Sequence, residues 1–385
     1  MLDFFTFTFT PMNTPTFRLS AGLLLVLILF AACKREKLPL DLPDAYDAST
    51  FAASTTTEAA VRTALANLTR EMQLGRTAGT TVALTSLSDL YAAGSPSLAS
   101  ITTTYYRGRI EGAEGWLANI ALASGGTYTP GEPQGNGGVY GGYLLDENGL
   151  ELEQLVEKGL FSAAMYHHAV SLMQGTITRE TADRLVSIFG AHPDFPNTTT
   201  AANAANPDRF MAQYGARRDK NDGTGLYSQM EAAFIQLQAA IEAGEEYDEE
   251  RDEALETLRS TWEKICFATV INYCHTAISK LSATNPTDAD KASAIHAYGE
   301  AVGFTHGWRT LPQGYRTITD SQIDALLVLL NAPYDGTPTS YKFLTDPVNE
   351  LPKLVQVIDD VQVIYGFTDQ EVEDFRENWV SKQGR

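Results

Sequence analysis

From Asp248 to Leu281 the chain runs 34 residues without a glycine or a proline. Its inward-facing residues return at helical spacing: Leu255, Leu258, Trp262, Ile265, Thr269, Val270, Tyr273, Ala277 and Ile278. A stripe of this kind buries itself against other helices. The same period recurs over 58–73, 82–93, 110–123, 150–173, Arg179–Phe189, Leu226–Ala243, 287–308, 321–330, 351–365 and 368–382. Stop signals stand where helices should end, as at Gly190 and Pro193, and Thr368 with Glu371 forms a capping-box pattern. No set of segments alternates with period two. The expectation is an all-α multi-helix bundle with no substantial sheet. It occupies 51–385, with a division into sub-bundles at 51–145 and 146–385 as an option. Residues 124–142, rich in glycine, and 197–206, rich in Thr, Ala and Asn, are expected to be loops.

The N-terminal part sets the address. Leu23 to Phe30 is unbroken apolar sequence, and with its small flanking residues it fills only 12 positions before Cys33. That is too short for a permanent span of about 20 residues and fits the apolar core of a signal peptide over 1–32. Ala31-Ala32-Cys33 has the small residues of a lipoprotein-processing site, so Cys33 is expected to carry a lipid. Residues 1–11 hold an acid and no base, which makes Met12 a second candidate start. Residues 33–50, with Pro39 and Pro43, read as the lipidated tether. Lys34-Arg35-Glu36-Lys37 is not an acidic surface-export pattern. The expected place is therefore the cell envelope, on the outer membrane and facing the periplasm.

The 385 residues carry a formal charge of −20. Such a surface repels nucleic acid, so none is expected as a partner. Cys266 and Cys274 would lie about 12 Å apart on one helix, too far for a disulfide, and read as small buried residues. No Gly-x-Ser-x-Gly elbow, His-Glu-x-x-His pair or Lys-Ser/Thr after a glycine loop occurs. The run Asp219-Lys220-Asn221-Asp222-Gly223 departs from a calcium loop at its glycine and at Met230, and reads as a turn.

One histidine is placed as a ligand would be. His296 and Glu300 are four residues apart, on one helical face. Further metal ligands would have to come from another helix, and Glu153, Glu157 and His168 are the best donors, His168 lying on a similar face eleven residues after Glu157. The bland alternative is that these side chains cap, pack and hydrogen-bond. His306, beside Trp308 and Arg309, is the weaker candidate for a haem-like ligand.

Several segments together carry a resemblance: Leu145-Asp146-Glu147-Asn148-Gly149-Leu150-Glu151, Phe189-Gly190 with Pro193-Asp194-Phe195-Pro196, Trp262-Glu263-Lys264 leading to Ala268-Thr269-Val270-Ile271-Asn272-Tyr273, and His296-Ala297-Tyr298-Gly299-Glu300-Ala301-Val302-Gly303-Phe304. From Asn148 onward the chain resembles a family of Bacteroidota lipoproteins, domain-of-unknown-function family 4856. That family is similar in outline to the imelysin-like helical proteins, which are associated with iron or haem handling in the envelope. The resemblance implies an imelysin-like bundle. Gly190-Ala191-His192 matches the first half of the imelysin Gly-x-His-x-x-Glu signature and adds His192 to the metal candidates, but Phe195 replaces the Glu.

The expected function is that of a non-enzymatic envelope lipoprotein binding a small nutrient, with iron or another divalent metal as the candidate cofactor. The alternative is a protein-interaction subunit of an outer-membrane assembly, which an exposed patch around Tyr105, Tyr106, Tyr128, Tyr140 and Tyr143 would favour. A metallopeptidase is a third reading, weakened by Phe195.

Overall fold

The computed structural model describes residues 37–385, together with Thr6 and Thr8. The signal-peptide segment and Cys33 therefore lie outside the described residues, apart from those two threonines. Residues 40–385 form one compact unit. It is all-α apart from a two-stranded hairpin. No described helix is long and apolar enough to cross a membrane.

The main elements are α1 (Thr56–Leu74), α2 (Leu84–Ala92), α3 (Thr104–Ile110), α4 (Trp116–Ala123), the hairpin β1 (Gly138–Tyr140) and β2 (Tyr143–Leu145), α5 (Leu152–Leu160), α6 (His167–Met173), α7 (Arg179–Phe189), α8 (Phe210–Arg218), α9 (Leu226–Ala243), α10 (Asp248–Leu281), α11 (Asp288–His306), α12 (Asp320–Leu329) and α13 (Pro347–Tyr365). The strands pair antiparallel, Tyr140 opposite Tyr143. Helix α10 is central and packs against α8, α9, α11 and α13. Its buried face carries Trp262, Ile265, Phe267, Val270 and Ile271. One continuous hydrophobic core includes residues from both 51–145 and 146–385.

Helices α5 and α11 approach unusually closely, because a glycine returns on α11 every fourth residue. A Cβ on Gly299 would lie 3.3 Å from Glu151 Cβ. One on Gly303 would lie 2.3 Å from the Gln154 carbonyl oxygen, and one on Gly307 2.4 Å from that of Gly159. No L side chain fits the last two places.

Four local expectations need correction. The segment 110–123 is not one helix: Glu111 to Gly115 turn between α3 and α4, with Gly112 at φ +95°. The segment 150–173 is interrupted by a π-helical stretch, Phe161–Tyr166. Hydrogen bonding to i+5 there retards the helical phase by about one residue, or roughly 100°. Helix α8 was not foreseen. The segment 368–382 breaks into Asp369–Asp374 and Trp379–Gln383, although the Thr368/Glu371 capping box is present.

The described end of the expected tether is strapped down. Tyr46 is buried and donates to Asp183 Oδ1 at 2.8 Å, and Thr50 donates to Asp183 Oδ2 at 2.6 Å. The Gln238 side chain bonds both the N–H and the C=O of Asp47.

Candidate functional site

Helices α5 and α11 bring His296 and Glu300 together with a set of charges that sequence spacing could not reveal. His296 Nδ1 lies 2.6 Å from Glu151 Oε2, and Nε2 lies 3.8 Å from Glu300 Oε2. Glu151 is fully buried at the start of α5. Arg76, just past α1, donates to Glu151 at 2.9 Å and to both oxygens of Glu153 at 2.7 and 2.9 Å. Lys158 reaches Glu157 at 2.8 Å and Glu300 at 3.3 Å. The Tyr143 ring of β2 stacks on His296, centroids 4.2 Å apart. Tyr214 of α8 donates to Glu300 at 3.5 Å.

Four carboxylates thus face two fixed cations and one imidazole. For Glu153, His296 and Lys158 burial is the largest influence, and the neighbours decide the balance. Burial and then the charge of Glu151 push Glu153 up to about 7. Burial opposes the charged form of His296, but Glu151 outweighs it and raises the imidazole. Burial likewise opposes charge on Lys158, and Glu157, Tyr214 and Glu300 overcome it. The cluster is a charged contact between α5, α8, α11, the end of α1 and the hairpin.

The metal candidates divide accordingly. His296, Glu300, Glu153 and Glu157 share this neighbourhood, but the Glu153 carboxylate is taken up by Arg76 and that of Glu157 by Lys158. His168 is elsewhere, which corrects its expected face: the π-helical stretch turns it away, and it bonds Glu58 of α1 at 2.9 Å, beside Arg184. His192 is separate again, at a loop, with Asp194 at 3.0 Å and Asn206 at 3.2 Å. Among the described residues no group of three or more His, Cys, Asp or Glu side chains is arranged to hold a metal ion. Cys266 and Cys274 are buried and free, as their helical spacing implied. Asp219 and Asp222 make short turns: Asp219 accepts from Asn221 and Ser228, and Asp222 from Thr224.

The cavity borders the same two helices, at Leu152 and Leu155 of α5 and His306 of α11. A pocket of about 610 Å³ opens between the α3–α4 turn, the loop after β2 and residues 332–338. That volume falls in the range of small-molecule sites, about 300–1,000 Å³. Its walls include Arg109, Trp116, Asp146, Glu147, Leu155 and His306. His306, the last residue of α11, is buried among Tyr105, Tyr106 and Trp116, and its Nε2 meets the Tyr105 hydroxyl at 2.7 Å. Burial, then Arg109 and Arg309, drive its imidazole down to about 3, so it is neutral. It is therefore a wall and a hydrogen-bonding group, without the charge a proton would bring.

Asp146 is buried, and its Oδ1 accepts from the N–H groups of Asn148 at 2.9 Å and Leu150 at 2.8 Å. Burial pushes this carboxyl up to about 7 despite those bonds. Arg109 lies over the Trp116 ring at 5.6 Å, and its Nε is buried without a hydrogen-bond partner. Gly115 begins α4 and provides no side-chain cap. A Cβ there would stand 2.3 Å from the Glu111 carbonyl oxygen, so no capping residue can replace it.

Sequence reasoning found His296 and Glu300 and missed the pocket. Gly112 and Gly115 were the available signal, since two glycines three residues apart argue against one helix over 110–123.

No family model, curated protein or solved structure matches the chain.

Proposed function

We propose that this chain is a lipid-anchored lipoprotein of the cell envelope, tethered through Cys33 at the outer membrane, that binds a small nutrient and performs no chemistry on it. The observation that carries the binding part is the 610 Å³ pocket, walled by Trp116 and by Arg109, whose Nε is buried without a hydrogen-bond partner. The resemblance to the Bacteroidota lipoproteins of domain-of-unknown-function family 4856 supports the address. The pocket, rather than the His296 cluster, is the ligand site, because the carboxylates of that cluster are already held by Arg76 and Lys158. A docking role would draw on an exposed aromatic patch. Tyr106 and Tyr128 are instead buried, and Tyr105, Tyr140 and Tyr143 are half-buried.

The address is tested by Cys33→Ser, which should abolish labelling by radioactive palmitate and release the chain from the membrane fraction. Retention with the membrane would refute the lipid anchor. The binding role is tested by thermal melts of the full chain, in detergent, against fractionated small molecules from the growth medium. Ligand at a hundred times its dissociation constant stabilises by about 2.7 kcal/mol. A melting shift in the wild type should vanish in Thr337→Trp, which fills the pocket rim. A shift that survives the substitution places the ligand elsewhere.

A further inference from the structure

The pocket at the α3–α4 turn mixes donors and acceptors around one space. Its lining includes one cation, Arg109, and four acids, Glu111, Glu114, Asp146 and Glu147. Asn119, Asn148 and Trp116 stand among them. Some of these groups are used within the fold. Glu111 pairs with Arg107 at 3.0 Å, Asp146 Oδ1 accepts from the amides of Asn148 and Leu150, and Asn119 donates to the Glu114 carbonyl oxygen at 3.4 Å. Others are left over. Among the described residues Arg109 has no ion pair or hydrogen bond, and its Nε is buried. Trp116 is only 5% exposed, and its indole N–H has no acceptor among the described residues. The carboxylates of Glu114 and Glu147 have no hydrogen bond or ion pair among them either. Elsewhere in the chain arginines are matched: Arg76 to Glu151 and Glu153, Arg309 to Asp324.

These leftovers select a ligand by what its polar groups can do. An ammonium only donates, and leaves Arg109 and Trp116 unmet. A carboxylate only accepts, and would be set among the four acids. A hydroxyl donates once and accepts twice. It can meet a guanidinium and a carboxylate together, and it brings like charge to neither. A set of hydroxyls therefore suits a lining in which the two kinds of group are not separated. The rest of the lining includes Leu150, Leu152, Leu155 and Pro333, apolar surface against which the C–H face of a sugar ring can lie. A ring also holds its hydroxyls in fixed directions, so less freedom is lost when it binds.

We infer that this pocket takes a neutral saccharide of one or two rings, whose hydroxyls accept from Arg109 and the Trp116 indole N–H and donate to Glu114 and Glu147. The inference rests on the reading of the pocket as the ligand site, and adds to it the chemical class of the ligand.

The test uses the full chain in detergent and native mass spectrometry. The probes are four mixtures: neutral mono- and disaccharides, polyamines, dicarboxylates, and dipeptides blocked at both ends. Saccharides should be retained above the others. Their affinity should change by less than about twofold when ionic strength is raised, because salt screens charged ligands. Arg109→Gln should weaken the retained saccharide roughly tenfold, the usual size for a hydrogen bond to a charged group. Within the series of its monodeoxy analogues, the one that lacks the hydroxyl at Arg109 should bind wild type and variant alike. Preference for a charged or amide mixture, no retention of any mixture, or unchanged saccharide affinity in Arg109→Gln would overturn the inference. Thr337→Trp separates the two readings. If another mixture is retained and that substitution releases it, the pocket stands and the saccharide falls. If saccharides are retained and none is released, the pocket itself is the wrong site.

Discussion

Helices α5 and α11 carry two polar regions of opposite character. In one, Glu151, Glu153, Glu300, Lys158 and His296 meet charge with charge. In the other, around His306, Arg109 and four acids, Glu111, Glu114, Asp146 and Glu147, line a cavity, and the Arg109 Nε is buried without a hydrogen-bond partner. Burying a charge is tolerable only when a partner replaces water, so the first region depends on its internal pairs. In the second, the Arg109 Nε is buried with no such partner. Polar groups that satisfy one another hold a fold together. Polar groups that do not are available to a ligand.

Substitutions should separate the two regions by size and kind of effect. The largest loss belongs to Glu151→Ala, which takes from His296 its 2.6 Å partner and from Arg76 one of its two acids. Removal of one partner of a buried pair costs about 3–5 kcal/mol, readable as a lower urea midpoint. A loss below 1 kcal/mol would mean that the cluster is not the structural contact its geometry implies. Gly303→Ala comes next. Its Cβ would meet the Gln154 carbonyl oxygen at 2.3 Å, so α5 and α11 must part, at about 1–3 kcal/mol. An unchanged melt would show that the two helices are free to separate.

The pH dependence gives a smaller, signed difference. Glu153 titrates at about 7 in the fold against 4.5 for an ordinary glutamate. The folded chain therefore holds this proton more tightly. Its stabilising contribution is complete below pH 4.5 and is lost as pH rises through 7. His306 behaves oppositely: lowered from 6.5 to about 3, it contributes fully above pH 6.5 and loses that contribution as pH falls toward 3. Glu153→Gln removes only the first slope. From pH 4.5 to 7 the wild type should therefore lose stability relative to the variant. Parallel stability curves would contradict the raised affinity of Glu153 for its proton in the fold. The smallest effect on stability is expected at Arg109→Gln, within about 0.5 kcal/mol. A large destabilisation there would move Arg109 from the pocket's chemistry to the core's.

Much of the bundle was legible because apolar residues at helical spacing are a local signal. Helices α7, α9 and α10 follow their stripes from end to end. The failures have physical causes. Helix α8 spans nine residues and contains Gly215, so it has little helical preference of its own. Packing supports it, since a Cβ on Gly215 would come within 3.1 Å of Ile265 on α10. The π-helical stretch has no period of its own in the sequence, and it displaced His168 from the face that simple counting assigns. His296 and Glu300 were visible as a four-residue pair on one helix. Their partners were not, because Arg76 lies 75 residues before Glu151, and only the folded chain brings them together. The pocket was hidden by the reading of one helix across the turn that forms its wall.

Gly299, Gly303 and Gly307 form a track along α11 with a repeat of about one helical turn, 5.4 Å. Steric fit alone cannot tell one step along such a track from the next. A slide of one turn would set Glu151 against Ala292 or against Glu300, a methyl group or a like charge. The bond from His296 to Glu151 removes that ambiguity: the glycines allow α5 and α11 to meet, and the charges select the axial register at which they stop.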